Sequence, residues 1–502
     1  MPVRFLERRN APEWLILSLA CTAQFMVVLD ASVVNVALPS IGRDLHYSTI
    51  GLQWVVNAYV LTFAGFLLLG GRAADIFGRR KIYISGLALF SAASLVGGFA
   101  QNAAWLTTAR ALQGVGGAVL SPSTLTIIVT TFSGTRLVRA IGVWSAVGGA
   151  GGAAGVALGG VLTSELSWRW VLYINVPIGA AAMLVALVFL SEARRPSGKR
   201  MDVAGALTAT AGLATLIYGV VNTDTHPWGS GRTLGTLGLA AILLGLFVVI
   251  ERRWATSPLV PFSVFRSRAL TGANLVMLLI GAAFFSMWYF LSLFMQDVLG
   301  YDPLRAGLSF LPMGLAIIVG SQISARVLPR TGVRPLLLVG TAITGAGFAW
   351  LTQIHAGVSY WGHLFGPGCV VSFSLGILFT PLATAATAGV NQADAGLASG
   401  VLNTSRQVGG SIGLAALATA ATARTRDLLA QGHVATRVAV ASGFQRAFAI
   451  AAVLGALGFA GSFIVPKLAR PAASAGAHDE SVPVMTGAGE SVGSAAEVTA
   501  TT

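Results

Sequence analysis

Long apolar runs alternate with short polar connections from near residue 14 to residue 465. Each run holds roughly 20 residues, enough at about 1.5 Å of helical rise per residue to cross a hydrocarbon layer about 30 Å thick. Fourteen such runs occupy 14–38, 50–70, 82–100, 104–127, 139–162, 169–191, 203–222, 233–250, 270–296, 304–326, 333–352, 361–386, 397–421 and 444–465. The pattern predicts an all-α integral membrane protein with fourteen transmembrane helices. The first run is too long for a signal-peptide core and lacks a small-residue cleavage site, so it is expected to remain as a span.

Composition agrees: 55% of residues are hydrophobic and 10% charged, where a soluble domain carries about 25% charged residues. The net charge of +14 raises the question of a nucleic-acid partner, and the distribution of the charge answers it. With the N-terminus placed in the cytoplasm, 22 of the 32 Lys and Arg fall on the inner side and eight on the outer, while Arg110 and Arg406 lie within runs. This asymmetry is a topology signal: it predicts a multi-pass protein of the cytoplasmic membrane with both termini inside, and no nucleic-acid partner. Cys21 and Cys369 both sit in apolar runs, as small hydrophobes rather than a disulfide framework. The tail from 467 is small, polar and mildly acidic, a composition expected to be disordered.

Acids are few, 18 in all, and almost all of them sit in connections, run ends or the tail. Asp30 is the exception, in "MVVLDASVVNVALP" about eight residues from the outer end of the first run, where an uncompensated charge costs several kcal/mol. Two readings stand: a neutral, hydrogen-bonded structural carboxyl, or a protonatable site lining a water-filled cavity. Arg110, in "LTTARALQGVGGAVLSP", starts about six residues below the outer end of the fourth run. Helical rise puts Asp30 about 12 Å and Arg110 about 9 Å below the same surface, level enough to pair directly or through water. Desolvation and a nearby guanidinium push such a carboxyl in opposite directions, so alternation between two openings could load and unload a proton.

The fifth run, "AVGGAGGAAGVALGGVL", repeats glycine at spacings of three and four, through Gly151, Gly155, Gly159 and Gly160 among others. Such spacing marks a face for close helix approach, and it also suits a helix that slides or bends against its neighbour. A weak internal repeat accompanies it: Gly117 precedes Pro122 by five residues in the fourth run, as Gly376 precedes Pro381 in the twelfth. The chain therefore divides into a six-helix half over 1–191, an inserted helix pair with its connections over 192–268, a second six-helix half over 269–466, and the tail over 467–502. Parallel repeats of this kind hold their substrate near the midplane between the halves. Asn35, Trp54, Tyr59, Trp288, Asn403 and Arg406 are candidate cavity residues, the aromatic ones presenting flat faces to an amphipathic or cationic ligand.

These features resemble the major facilitator superfamily, and within it the fourteen-helix drug:proton antiporters. "GGRAADIFGRRKIY" is similar to the motif Gly-x-x-x-Asp-x-x-Gly-Arg-Arg/Lys between the second and third helices, matched by Gly71, Asp75, Gly78, Arg79 and Arg80. The fourth-helix motif is matched by Leu106, Arg110, Gln113, Gly114, Gly116 and Gly117. "LDASVVNVALP", "WRWVLYINVPIG" and "ASGVLNTSRQVGGSIG" look like first-, sixth- and thirteenth-helix signatures of the fourteen-helix family. One position departs: the fifth-helix antiporter motif has a proline where this chain has Val156, which weakens the inference of a proline kink there.

The resemblance implies export of small amphipathic drugs or antibiotics, in exchange for protons and by alternating access, by a protein working as a monomer without cofactor or metal. It also implies that Gly71 allows close helix approach and that Asp75 meets a helix N-terminus of the opposite half, a charge–dipole latch of about 0.3–2 kcal/mol. The corresponding connection of the second half, "ARVLPRTGVRP", keeps Gly332 and Arg334 but has no acid, so the latch is one-sided. The chain has no GxxxxGK[ST] phosphate loop, and hence no sign of ATP as the energy source. A dedicated exporter of one endogenous metabolite or self-made antibiotic is the alternative, suggested by the excess of Arg over Lys, a mark of GC-rich coding. A transporter-derived sensor would be expected to carry a signalling domain, and a membrane enzyme would need acids and histidines converging within the bilayer.

Overall fold

The computed structural model describes residues 12–48, 51–132, 134–190, 202–221, 223, 226–255, 258, 266–388, 395–432 and 434–467. Arg4, Arg8 and Arg9 and the tail from 468 lie outside the described residues. The elements are α1 (Glu13–Asp44), α2 (Trp54–Phe77), α3 (Arg79–Gly98), α4 (Ala103–Thr131), α5 (Gly134–Glu165), α6 (Trp170–Tyr173), α7 (Asn175–Phe189), α8 (Val203–Val221) and α9 (Gly231–Val249). They continue with α10 (Arg268–Leu293), α11 (Pro303–Ser309), α12 (Leu311–Thr331), α13 (Val333–Leu351), α14 (Gly366–Thr387), α15 (Ala395–Leu429) and α16 (Thr436–Ser462). Every apolar run coincides with a helix; the sixth and tenth are each split into two α-helical pieces, and short 3-10 or π-helical turns adjoin α2, α9, α10 and α14.

Eleven helices among the described residues are long and apolar enough to cross a membrane. The other three that match runs, α2, α5 and α15, are continuous over 24, 32 and 35 residues. Several helices outlast the apolar stretch that reveals them, because polar turns can continue a helix beyond the hydrocarbon layer. Thus α1 runs on through Pro39 to Asp44, and Asp30 lies 14 residues, about 21 Å, from its end rather than eight residues.

Local chemistry sets many of the boundaries. The side chains of Asn102, Ser230, Ser267 and Asp302 accept from backbone N–H groups of the first turns of α4, α9, α10 and α11, satisfying donors that a helix start leaves free. Gly78 (φ 97°) and Gly332 (φ 82°) make the tight turns α2–α3 and α12–α13, where a side chain would be strained.

Helix pairing repeats between the halves. In the first, α1 packs on α5, α2 on α4, α3 on α4 and α7; in the second, α10 packs on α15, α12 on α14, α13 on α14 and α16. The Gly–Pro repeat occupies matching places: a Cβ on Gly117 would stand 3.1 Å from the Phe63 ring of α2, and one on Gly376 2.1 Å from the Ile317 carbonyl oxygen of α12. At Gly376 the two backbones close to a distance that only glycine allows; at Gly117 the neighbours are side-chain rings.

The inserted helix α8 packs on α9, α2 and α15. Thr210 of α8 fits against Gly65 of α2, and Leu61, Ile217 and Ala415 form a small buried cluster joining the three helices. On α9, Leu234, Leu239 and Ile242 remain 49–68% exposed, as suits a surface facing lipid.

The halves are joined at the end of the bundle that carries the α1–α2 connection. Ser292 Oγ donates to the Asn35 carbonyl at 2.7 Å, Gln296 Nε2 to the Val36 carbonyl at 2.9 Å, and the Leu304 N–H to Ser164 Oγ at 3.1 Å. Beside them Gly160 and Gly307 interdigitate: a Cβ on Gly160 would lie 2.7 Å from the Pro303 oxygen, and one on Gly307 2.6 Å from the Val156 oxygen.

Candidate functional site

Asp30 and Arg110 meet directly. Arg110 Nη1 donates to Asp30 Oδ2 at 2.6 Å, with the two residues 2% and 0% exposed. The other carboxylate oxygen, Oδ1, accepts from Gln113 Nε2 at 2.7 Å and from Asn175 Nδ2 at 2.9 Å. Both amides also reach Ser94 Oγ at 3.1 Å, and that hydroxyl donates to the Leu172 carbonyl at 2.7 Å. Arg110 is held further by Gln113 Oε1 at 2.6 Å, by the Val55 carbonyl at 3.1 Å, and by the Tyr59 ring, 4.5 Å from its guanidinium carbon.

Helix periodicity explains the convergence. Arg110 and Gln113, three residues apart, share one face of α4, and that face turns to α1. Asn175 enters from the start of α7, just past the break at Ile174, and Ser94 from α3. A guanidinium in a low-dielectric interior needs a matched acid and satisfied donors to be tolerated, and here both are supplied by four helices of one half.

A proton on Asp30 removes the charge that balances Arg110 and turns one acceptor oxygen into a donor, so the guanidinium loses its partner while Gln113 Oε1 still holds it. Deleting one member of such a buried pair and leaving the other is strongly destabilising, by about 3–5 kcal/mol, so Asp30 and Arg110 hold one another in this conformation. Of the two readings of Asp30, this conformation shows the hydrogen-bonded carboxyl: it is sealed, at 0% exposure, behind its own donors rather than facing a cavity.

Asn175 and Ser94 are members of this site that the sequence reading did not single out. Asn175 stood in the quoted sixth-helix signature, and its signal was an amide inside an otherwise apolar run. Ser94 gave none, since a serine in a helix can satisfy its hydroxyl on its own backbone.

The match to known proteins bears on the whole bundle. A model described as Major Facilitator Superfamily matches residues 20–414. The chain belongs to the major facilitator superfamily. It is 46% identical over 407 residues, 80% of its length and 84% of the other's, to the cephamycin export protein CmcT of Amycolatopsis lactamdurans. It is 40% identical over 443 residues, 87% of both chains, to the puromycin resistance protein pur8 of Streptomyces alboniger. A bacterial homologue of the human lysosomal transporter Spinster, solved in an inward-facing and occupied conformation, superposes with a TM-score of 0.64 at 16% identity, over 90% of this chain and 96% of that one. Family and fold are those of a multi-pass membrane transporter whose curated relatives include antibiotic export and resistance proteins.

The remaining candidate residues of this superfamily member fall in separate places. Gly114 lets α2 and α4 touch, since a Cβ there would lie 2.3 Å from the Tyr59 oxygen. Near the end of α2, a Cβ on Gly71 would meet Pro122 at 3.5 Å; Gly78 makes the α2–α3 turn, Arg79 opens α3, and Arg80 donates to the Leu187 carbonyl. The side chain of Asp75 lies outside the described residues.

The fifth-helix glycines divide by partner. Gly151, Gly155 and Gly159 face Phe25, Leu29 and Val33 of α1 within the same half, whereas Gly160 faces Pro303 and Leu304 of the other. Val156, 2% exposed, occupies the motif's proline position in an unbroken α5.

The six candidate cavity residues have these surroundings. Tyr59 belongs to the charged site, and Trp54 packs beside the α8 cluster. Asn35 Nδ2 donates to Ala31 O at 3.0 Å within its own helix, and Trp288 stacks on Phe310 with ring centroids 4.8 Å apart. Asn403 and Arg406 bond each other on α15.

Proposed function

We propose that the chain exports small amphipathic compounds across the cytoplasmic membrane in exchange for protons, alternating between two openings as a monomer. The buried Asp30–Arg110 pair with its amide shell carries this reading: its bonds join four helices, so a proton on the carboxylate and a movement of those helices are coupled. The positive-inside asymmetry puts both termini in the cytoplasm. The α1–α2 end, where the halves are joined, is then the outer end, closed in this conformation. Asp75, with Gly71, Gly78, Arg79 and Arg80, serves as the latch at the cytoplasmic end. One proton entering under about 100 mV plus one pH unit supplies roughly 3.7 kcal/mol, enough for a several-hundred-fold gradient of a neutral substrate.

The names of the relatives favour antibiotics as cargo, and self-resistance of a producer is the second reading. The test is efflux of puromycin and of a cephamycin from a pump-deficient bacterium expressing the protein. Uncoupler-sensitive efflux that is lost in Asp30→Asn, with membrane insertion retained, is the expected result. Efflux in Asp30→Asn equal to the parent's would remove Asp30 from proton coupling.

A further inference from the structure

We propose that Arg406 anchors an acidic group of the exported compound, so that the preferred substrates are amphipathic anions or zwitterions. The assignment rests on the exporter reading above and adds the chemical class of its cargo.

Arg406 lies 11 residues into α15, about 17 Å along the helix from its Ala395 end, well inside the span and below the headgroup level of a lipid. Among the described residues its guanidinium has no carboxylate within ion-pair reach, unlike that of Arg110. Of its five N–H donors, one is used by the protein, from Nη2 to Asn403 Oδ1 at 2.7 Å. Its Nε is buried without an acceptor. The ring of Phe379 on α14 lies 5.7 Å from the guanidinium carbon, giving a weak aromatic contact that leaves the charge uncompensated.

A cation at this depth is costly unless something balances it, and nothing in the described protein does. Its backbone, by contrast, is firmly placed. A Cβ on Gly281 of α10 would lie 2.5 Å from the Arg406 carbonyl oxygen, and Ser405 Oγ bonds Asn274 Oδ1 of the same helix at 2.8 Å. A half-buried guanidinium on a firmly placed backbone, with free donors beside an aromatic face, matches a carboxylate, sulfonate or phosphate carried on a flat apolar body. Charge balance points the same way: the N-terminal half pairs its own membrane-embedded cation, so the unmatched charge of the C-terminal half is left for a ligand.

The test uses the full chain in proteoliposomes with an imposed pH gradient and three probes: cephalothin, which carries a carboxylate, its neutral methyl ester, and the cationic puromycin. The parent is expected to move the acid faster than the ester by about tenfold, the discrimination typical of a charged hydrogen bond. The acid-to-ester ratio should collapse toward one in Arg406→Gln and fall several-fold in Arg406→Lys, which keeps the charge but loses the fork. Should Arg406→Gln fail to fold, the Lys variant and the parent's own ratio carry the test. Gradient-driven movement of the ester or puromycin with no preference for the acid, or a ratio unchanged in both variants, overturns the anchor and leaves the exporter standing. Movement of none of the three by the parent removes the exporter reading and the anchor with it.

Discussion

Gly155 and Gly160 present the same steric problem in different mechanical settings. A Cβ at Gly155 would lie 2.7 Å from the Leu29 oxygen and 2.0 Å from Ser32 Oγ; one at Gly160 would lie 2.7 Å from the Pro303 oxygen. The Ser32 hydroxyl can rotate away, but a helical carbonyl cannot, so in each case one backbone must retreat by about 0.7 Å to regain ordinary contact near 3.4 Å. Overpacking of this size costs about 1–3 kcal/mol. At Gly155 both partners belong to the same half, so the cost is present in either conformation and should appear as lost stability, with strain passed to Asp30 one residue beyond Leu29. At Gly160 the partner belongs to the opposite half, and opening the α1–α2 end relieves the clash. The same 1–3 kcal/mol then becomes a shift of about 5- to 150-fold toward that opening.

The assay pairs melting temperature with alkylation of Ser292→Cys in a cysteine-free background, since Ser292 is buried where the halves join. Gly155→Ala should lower the melting temperature with little change in labelling. Gly160→Ala should raise labelling with a smaller loss of melting temperature. Gly152→Ala is the control, its Cβ meeting only Val28 Cγ1 at 3.8 Å, and should change neither. If Gly160→Ala leaves labelling unchanged, or Gly155→Ala raises it as much, the division of the glycine face between a fixed and a moving contact is wrong.

Asp30→Asn leaves Arg110 buried without a counter-charge and should destabilise the protein by about 3–5 kcal/mol; the double variant Asp30→Leu/Arg110→Leu should recover much of the melting temperature yet carry no proton-driven efflux. Asn175→Leu removes one donor to Asp30 Oδ1 and should cost about 1–3 kcal/mol together with most of the efflux, whereas parent-like efflux would show that the amide does not position the carboxylate. Asp75→Asn should increase cysteine labelling at the cytoplasmic end and lower efflux if Asp75 latches that end, with the shift about fivefold for a contact near 1 kcal/mol. Equal labelling and efflux would leave the α2–α3 turn as a topology anchor alone.

By itself the sequence determined the elements of this protein. A bilayer demands that each crossing satisfy its own backbone hydrogen bonds, so helices announce themselves as apolar runs, and all fourteen runs correspond to helices. The cost of a charge in hydrocarbon likewise made Asp30 and Arg110 conspicuous, but the depth read from the run ends was off, because α1 continues to Asp44, and only the packing of α1 on α4 shows that the two meet. What only the tertiary structure decided was which helix each face meets. Periodicity showed that Gly151, Gly155, Gly159 and Gly160 share a surface, but it could not say that three of them press on α1 and the fourth on the opposite half. Nor could it place Asn175 and Ser94 on the carboxylate, or leave Arg406 without an acid among the described residues. Apolar runs of similar composition can pack in many orders; the order here is selected by contacts such as Gly117 on Phe63 and Gly281 on the Arg406 backbone, whose fit depends on residues far apart in the chain.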